Sequence, residues 1–427
     1  MERRYKDSGI EWIGKIPDTW EVDIAKHVFK QRRDKGNDEY QLLAATQKYG
    51  MYPQHLLEGV VKVAADTDLN QFKTVHKNDY VISLRSFQGG FEMSDYEGVC
   101  SPAYQVFYAT RQISSQYYKY LFKADAFIQE INALTVGIRE GKNILYDDFA
   151  LIPIPIPAAS EQQRIADYLD EKCGEIDSLI GLQEQMIEKL KAYKQSVITE
   201  AVTKGLNPNA KLVPSGIDWI GDIPSHWDII KIGFIFINMD CLREPISAEL
   251  RERNNPQYDY YGASGIIDKT DHYNVEDKVL LIGEDGANLV MRNLPLIYKA
   301  EGKFWVNNHA HILKPRKDNY DFMAHALEAC NYRDYITGSA QPKLSQENLS
   351  RVQLPVPPLE EQQAVASYLD EKCSEIDNLI AVKQQKIEKL KDYKKSVIYE
   401  AVTGKTDLRE KKRYKEYGRT KRQRAVY

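Results

Sequence analysis

The sequence predicts an α+β chain made of two tandem α/β domains, each followed by a long helix, with the two helices pairing as an antiparallel coiled coil in an internal pseudo-two-fold repeat. Three observations predict it. The segment Ser8-Gly-Ile-Glu-Trp-Ile-Gly-Lys-Ile-Pro-Asp-Thr-Trp20 returns 207 residues later as Ser215-Gly-Ile-Asp-Trp-Ile-Gly-Asp-Ile-Pro-Ser-His-Trp227. The run from Glu161 to Thr203 returns 200 residues later as Glu361 to Thr403, with 30 of 43 positions identical. Between these matched pieces the halves share little, so one frame carries two different inserts. A period of this length is too long for a solenoid unit and fits two domains of ordinary size.

Each half has the same order of elements. The repeated opening segment supplies two Trp anchors, with Pro17 and Pro224 setting a turn. Short strands follow, rich in β-branched and aromatic residues and bounded by Gly, Asn, Asp or Pro. In the first half they are expected at Val60 to Ala64, Tyr80 to Leu84 and Tyr104 to Tyr108. In the second they are expected at Val279 to Ile282, Ile297 to Ala300, Lys303 to Val306 and Ala310 to Leu313. A helix comes next, from about Ser115 to Asn132 after an N-cap serine, and from about Tyr320 to Ile336 after Asp318. A polar loop then leads to a strand that ends in a proline-rich hinge, Pro153, Pro155 and Pro157 in one half and Pro355, Pro357 and Pro358 in the other. From Glu161 to Thr203 there is no proline, and at about 1.5 Å per residue such a helix spans roughly 65 Å. Its apolar stripe, Ile176, Ile180, Ile187, Leu190 and Val197, alternates steps of four and three. Ile376, Ile380, Ile387, Leu390 and Val397 repeat that stripe in the second copy, which is coiled-coil spacing. A stripe this long has no burial partner inside a domain of 150 residues or so, and the other copy is the simplest one. Lys204 to Pro214 reads as a linker with Gly and Pro stops.

Composition narrows the class. The chain has 427 residues, 43% hydrophobic and 28% charged. That is an ordinary soluble balance, with no apolar run near the ~20 residues of a membrane helix. The charged start Met1-Glu-Arg-Arg-Tyr-Lys reads as no signal peptide, and the five scattered cysteines read as reduced thiols, so a cytoplasmic location is expected. The net charge of −4 is unusual for a free-standing DNA binder. It is unevenly spread, because Lys405 to Tyr427 carries ten Lys/Arg against three Asp/Glu.

A search for catalytic chemistry returns little. No Gly-x-x-x-x-Gly-Lys-Ser/Thr loop is present, since Gly137-Ile-Arg-Glu-Gly-Lys-Asn143 is only superficially similar. Asn254-Asn-Pro-Gln-Tyr258 lacks the second proline of an amino-methyltransferase motif, and no glycine-rich cofactor loop precedes it. Pro17-Asp18 has no Asp/Glu-x-Lys nearby, which argues against a nuclease centre. His309-Ala-His311 could set two imidazoles on one strand face, but no adjacent residues complete a metal site. Glu284-Asp-Gly286 could pair carboxylates for a metal or a general base, but a tight turn with glycine in the left-handed region, or a polar recognition loop, is the favoured reading. No catalytic residue and no metal ligand is therefore expected.

Loops mixing Arg, Gln, Asn, Ser and aromatic residues occur in matching order in the two halves. Such residues suit nucleic acid, because Arg reads guanine edges, Asn and Gln read adenine edges, and Ser, Lys and Gly amides hold phosphates. The candidates in the first half are Arg85, Ser86, Gln88, Ser101, Tyr104, Arg139, Lys142 and Asn143. Those in the second are Ser264, Glu284, Asp285, Asn307, Asn308, His309, Gln341 and Lys343.

This layout resembles the specificity (S) subunit of bacterial type I restriction–modification systems. The resemblance covers essentially the whole chain. It rests on the doubled Ser-Gly-Ile-Glu/Asp-Trp-Ile-Gly-x-Ile-Pro segment and on Ile-Pro-Ile-Pro and Leu-Pro-Val-Pro leading into Glu-Gln-Gln and Tyr-Leu-Asp-Glu-Lys. It also rests on Val81 to Gly90 with Ser101-Pro-Ala-Tyr104, and on Leu281 to Ala287 with Phe304 to His311. The resemblance implies target recognition domains at 1–157 and 206–357, spacer helices at 158–205 and 358–404, and a basic tail at 405–427. It implies that each recognition domain binds one half of a bipartite double-stranded DNA target. The helices would dock two methyltransferase (M) subunits, which carry S-adenosylmethionine, and added R subunits would cleave using ATP and Mg. This subunit would bind no cofactor and catalyse nothing. Two alternatives stay open: a coiled-coil scaffold without DNA binding, and the recognition part of a fused restriction–methylation enzyme.

Overall fold

A computed structural model describes residues 3–36, 40–58, 69–83, 90–135, 144–251, 257–338 and 341–409. The chain divides into two compact units. The first joins Met1–Gln183 to Gln385–Tyr427, and the second is Glu184–Gln384. Each unit therefore contains one insert and one half of each long helix. Those helices run from Ala159 to Lys204 and from Leu359 to Val402.

In the first unit the sheet order is Phe29–Arg32, Gln105–Ala109, Tyr80–Ile82, Phe91–Met93, antiparallel throughout. Its core is aromatic. Phe29 packs with ring centroids 5.2–5.9 Å from Tyr118, Phe107, Phe122, Tyr80 and Phe149. In the second unit Phe236–Asn238, Ala310–Pro315, Val275–Gly283 and Ile297–Val306 stand in the same order. Two strands, Tyr258–Gly262 and Gly265–Thr270, extend that sheet beyond Ile297–Val306. The inserts thus share a four-stranded plan that their sequences do not display.

Within each unit the helix halves run antiparallel. In the first, Ile165 and Leu169 share a core with Val397, Ile398, Ala401 and Val402, while Lys394 reaches Asp177. In the second, Ile198, Ala201 and Val202 share a core with Val365, Leu369 and Cys373, while Lys194 reaches Asp377. Of the predicted stripe, Ile176, Ile187, Ile376, Ile387 and Val397 are buried, and Ile180, Leu190, Val197, Ile380 and Leu390 are half-buried.

Several expected boundaries change. The helix expected from Ser115 to Asn132 breaks at Ala124, whose ψ of 129° is extended, giving Ser115–Lys123 and Asp125–Thr135. The helix from Tyr320 stops at Ala329, because the Arg292 guanidinium takes the Glu328 and Cys330 carbonyls and Tyr332 folds into the core. Ile297 to Ala300 and Lys303 to Val306 are one strand, which Gly302 crosses at φ +87°. Pro153 and Pro155 lie within pairing rather than ending it: Pro153–Ile156 is laddered on Glu21–Ile24. In a two-stranded pair, alternate residues face away from the partner, and a proline there gives up no ladder bond. The expected linker is partly structured. Gly205, at φ +72°, lies so close to Trp227 that an added Cβ would come within 2.9 Å of its ring, and Leu212–Pro214 pairs with Asp222–Pro224. The expected strand at Val60 to Ala64 lies outside the described residues.

Candidate nucleic-acid interface

The second unit gathers its candidates at one end of its sheet. Val275–Gly283 ends there and delivers Glu284 and Asp285, while Asn307, Asn308 and His309 precede the neighbouring strand. The backbone closes the group. Glu284 N donates to His309 O at 2.8 Å, Leu344 N to Glu284 O at 2.7 Å, and Gly286 N to Pro342 O at 3.0 Å. Gly286 has φ +103°, the left-handed turn expected of Glu284-Asp-Gly286. Ser264 joins the group from the turn between Tyr258–Gly262 and Gly265–Thr270. Its neighbour Ala263 crowds Gly283 so closely that a Cβ there would meet Ala263 O at 2.6 Å.

Burial sorts these residues. Ser264, Asn308, His309, Gln341 and Lys343 are exposed and can meet a ligand. Glu284 and Asn307 are buried and brace the loops. Asn307 Oδ1 accepts from His309 N at 2.8 Å. Glu284 Oε1 meets Lys343 Nζ at 2.9 Å, and its other oxygen takes Arg243 Nη1. Burial alone would raise the Glu284 carboxyl, but the Lys343 and Arg243 hydrogen bonds hold it below its ordinary value. Asp240 behaves alike: burial pushes it up, and His311 with the Ile312 amide pulls it below the usual carboxylate range.

The two imidazoles of His309-Ala-His311 take separate partners. His309 Nδ1 lies 2.8 Å from Asp285 Oδ2, and buried His311 lies 2.6 Å from Asp240 Oδ2 and 2.7 Å from Leu344 O. No cluster among the described residues offers three or more metal-ligating side chains. Sequence reasoning missed Asp240 and Arg243. They lie outside every motif, and only the register of Phe236–Asn238 on Ala310–Pro315 brings them under the loop.

In the first unit the described candidates, Ser101 and Tyr104, stand at the corresponding sheet end. Gln105 is registered with Ile82, so Ser101 and Tyr104 stand beside the start of the connection from Ser83 to Gly90. Ser83 N donates to Gly90 O at 2.8 Å, and Lys73 Nζ donates to Tyr104 O. Arg85, Ser86, Gln88, Arg139, Lys142 and Asn143 lie outside the described residues.

The family described as type I restriction modification DNA specificity domain matches twice, at residues 13–192 and 224–392. The chain belongs to that family. The MjaVIII specificity subunit of Methanocaldococcus jannaschii is 23% identical over 428 residues, covering 92% of this chain and 94% of that protein. A protein of Haemophilus influenzae described as a type I restriction enzyme specificity subunit is 35% identical over 129 residues, covering 30% of this chain and 32% of its own length. A chain from a structure on complex assembly and conformational transition of the type I R-M system superposes with a TM-score of 0.68 at 14% identity, covering 92% of this chain and 99% of that one. The doubled frame is therefore that of a specificity subunit with two DNA recognition domains. Among the described residues no helix is long and apolar enough to cross a membrane.

Proposed function

We propose that this specificity subunit reads a bipartite double-stranded DNA target in the cytoplasm, one half-site per recognition domain, as a non-catalytic member of a restriction–methylation complex. One observation carries the reading: the two units share a four-stranded plan, while the sequences of the segments that connect its strands differ. Different loop side chains offer different donors and acceptors, so the two domains read different half-sites. The acidic balance of the chain favours a shared grip on DNA, with partner subunits supplying part of the positive field.

The long helices set the separation of the half-sites and dock two methyltransferase subunits, with restriction subunits added. Exposed apolar side chains on the helices support docking: Leu179, Leu182 and Tyr393 in the first unit, and Met186, Tyr193, Leu379 and Val382 in the second. Apolar side chains grouped on a solvent face mark an interaction surface. S-adenosylmethionine, ATP and Mg belong to those partners.

The test is methylation mapping in cells that express the chain with a cognate methyltransferase subunit. Two short motifs at a constant separation are expected, and replacing the loop Gln341–Lys343 should alter one motif only. A single contiguous motif would overturn the bipartite reading. An assembled complex with no DNA affinity would favour the scaffold reading instead.

A further inference from the structure

In each unit the spacer helix holds its recognition domain at two points, and those points are equivalent in the two copies. At the first, Gln162 Oε1 accepts Ser114 N at 2.8 Å while its Nε2 donates to Pro157 O at 2.8 Å. Gln362 Oε1 accepts Asn319 N at 2.7 Å while its Nε2 donates to Pro357 O at 2.9 Å. Both glutamines are buried. At the second, Tyr120 Oη donates to Asp170 Oδ1 at 2.7 Å, and His325 Nε2 lies 2.9 Å from Asp370 Oδ1. The helix residues are 200 positions apart in the two copies, and their insert partners are 205 apart both times, although the inserts have diverged.

The chemistry of the two points suits a frame that carries different inserts. The first takes a backbone N–H, which every residue except proline supplies, so Ser114 and Asn319 serve equally. The second needs only a side-chain donor at one turn of the insert helix, and tyrosine and histidine both provide it. Geometry makes the pair more than two hydrogen bonds. One bond leaves a domain free to swivel about it. Points eight residues apart on the spacer helix, about 12 Å at 1.5 Å per residue, define a direction.

We infer that Gln162 with Asp170, and Gln362 with Asp370, are positioning residues that set the angle of each recognition domain on its helix and thereby the separation of half-sites the subunit accepts. The inference rests on the bipartite reading above. It concerns which spacings are accepted, and leaves the bases read to the loops.

The test uses the full chain assembled with its methyltransferase subunits. The substrate is a plasmid library carrying both half-sites at the native spacing and at spacings up to two base pairs shorter or longer. Tyr120→Phe removes one hydroxyl from a half-buried ring, and Gln162→Met keeps the length of the side chain without its polar atoms. Each should raise methylation at non-native spacings, relative to native, by about tenfold, the scale of a hydrogen bond to a charged or buried partner. The half-site bases should stay unchanged. Asp170→Asn still accepts from Tyr120 and should keep the wild-type spacing ratio. An unchanged ratio in assembled Tyr120→Phe complex would overturn the inference, even if Gln162→Met failed to fold. Wild-type complex that ignored spacing altogether, or needed only one half-site, would instead overturn the bipartite reading.

Discussion

Lys394 Nζ lies 2.7 Å from Asp177 Oδ2, joining the last third of the second long helix to the first half of the first, and Lys194 stands at the same distance from Asp377 in the other unit. Both carboxylates are more than half exposed. Exposed pairs of this kind are worth about 0–1 kcal/mol, so they select alignment and the apolar stripe holds the helices together. Lys394→Glu should therefore lower stability by no more than about 1 kcal/mol, and adding Asp177→Lys should restore it. Thermal melts of the single and double variants check this, and the difference should shrink in high salt.

Glycines at two kinds of site should respond oppositely to alanine. Gly205 follows the first long helix at φ +72° against the Trp227 ring. Gly205→Ala combines left-handed strain with displacement of a packed ring, for a loss of about 2–3 kcal/mol. Gly174 lies inside the same helix, where an alanine Cβ would meet nothing within 4 Å. Gly174→Ala should stabilise by about 0.5–1 kcal/mol. Denaturant midpoints measured on both variants give the two signs directly.

His325 makes the second unit sensitive to acid. Burial pushes its pKa below the ordinary 6.5, the Asp370 hydrogen bond and Asp321 oppose that shift, and Lys299 adds to it. The unfolded chain therefore takes up this proton first as pH falls. The contribution of the neutral ring is complete above about pH 6.5 and is lost as pH drops from there toward the lower folded value. The melting temperature should fall as pH drops below about 6.5, and His325→Gln should reduce the fall. An identical pH slope in the variant would show that other groups control it.

Lys343 and Arg243 hold the same carboxylate, Glu284, but should fail differently. Lys343 is exposed and free to meet a phosphate as well. Lys343→Gln should weaken DNA binding evenly across sequences and lower the salt slope by about one. Arg243 is largely buried and also takes the Asn308 and Ala310 carbonyls. Arg243→Gln should strip a buried carboxylate of its buried partner and cost about 3 kcal/mol of stability in the second unit. Titrations at two salt concentrations, run beside melts, separate the two effects.

Periodicity and repetition made the frame legible. The four-three stripe marks both long helices, and the duplicated segments mark the Trp anchors, of which Trp20 and Trp227 are buried. Boundaries inside the inserts were less legible, because hydrophobic spacing reports burial without naming the partner. Nothing local around Ala124 or Cys330 announces a helix end; the break at Cys330 depends on Arg292, a residue 38 positions away. The same limit applies to the site. Glu284, Asp285 and His309 stand out as a polar loop, but Arg243 and Asp240 become visible only through strand register. The latch at Gln162 and Gln362 was present in the repeat as Glu-Gln-Gln, where a buried side chain cannot be told from a solvated one.

The first unit is built from both ends of the chain. Arg3 Nη1 donates to Thr406 O at 3.3 Å, Tyr117 Oη donates to Val402 O at 2.8 Å, and Gly404 packs against Pro17 and Trp20. The second unit is one continuous stretch, Glu184–Gln384. During synthesis at about 5–20 residues per second, the usual order has the N-terminal domain fold first. Here that order reverses. The half made first must wait, with the wall of its core missing, until the second long helix leaves the ribosome, while the half made second can close as soon as it emerges. Until then the Ile165–Leu169 face of the nascent chain stays uncovered, and a chain stopped before Gln385 would release a folded second unit tethered to an unfinished first.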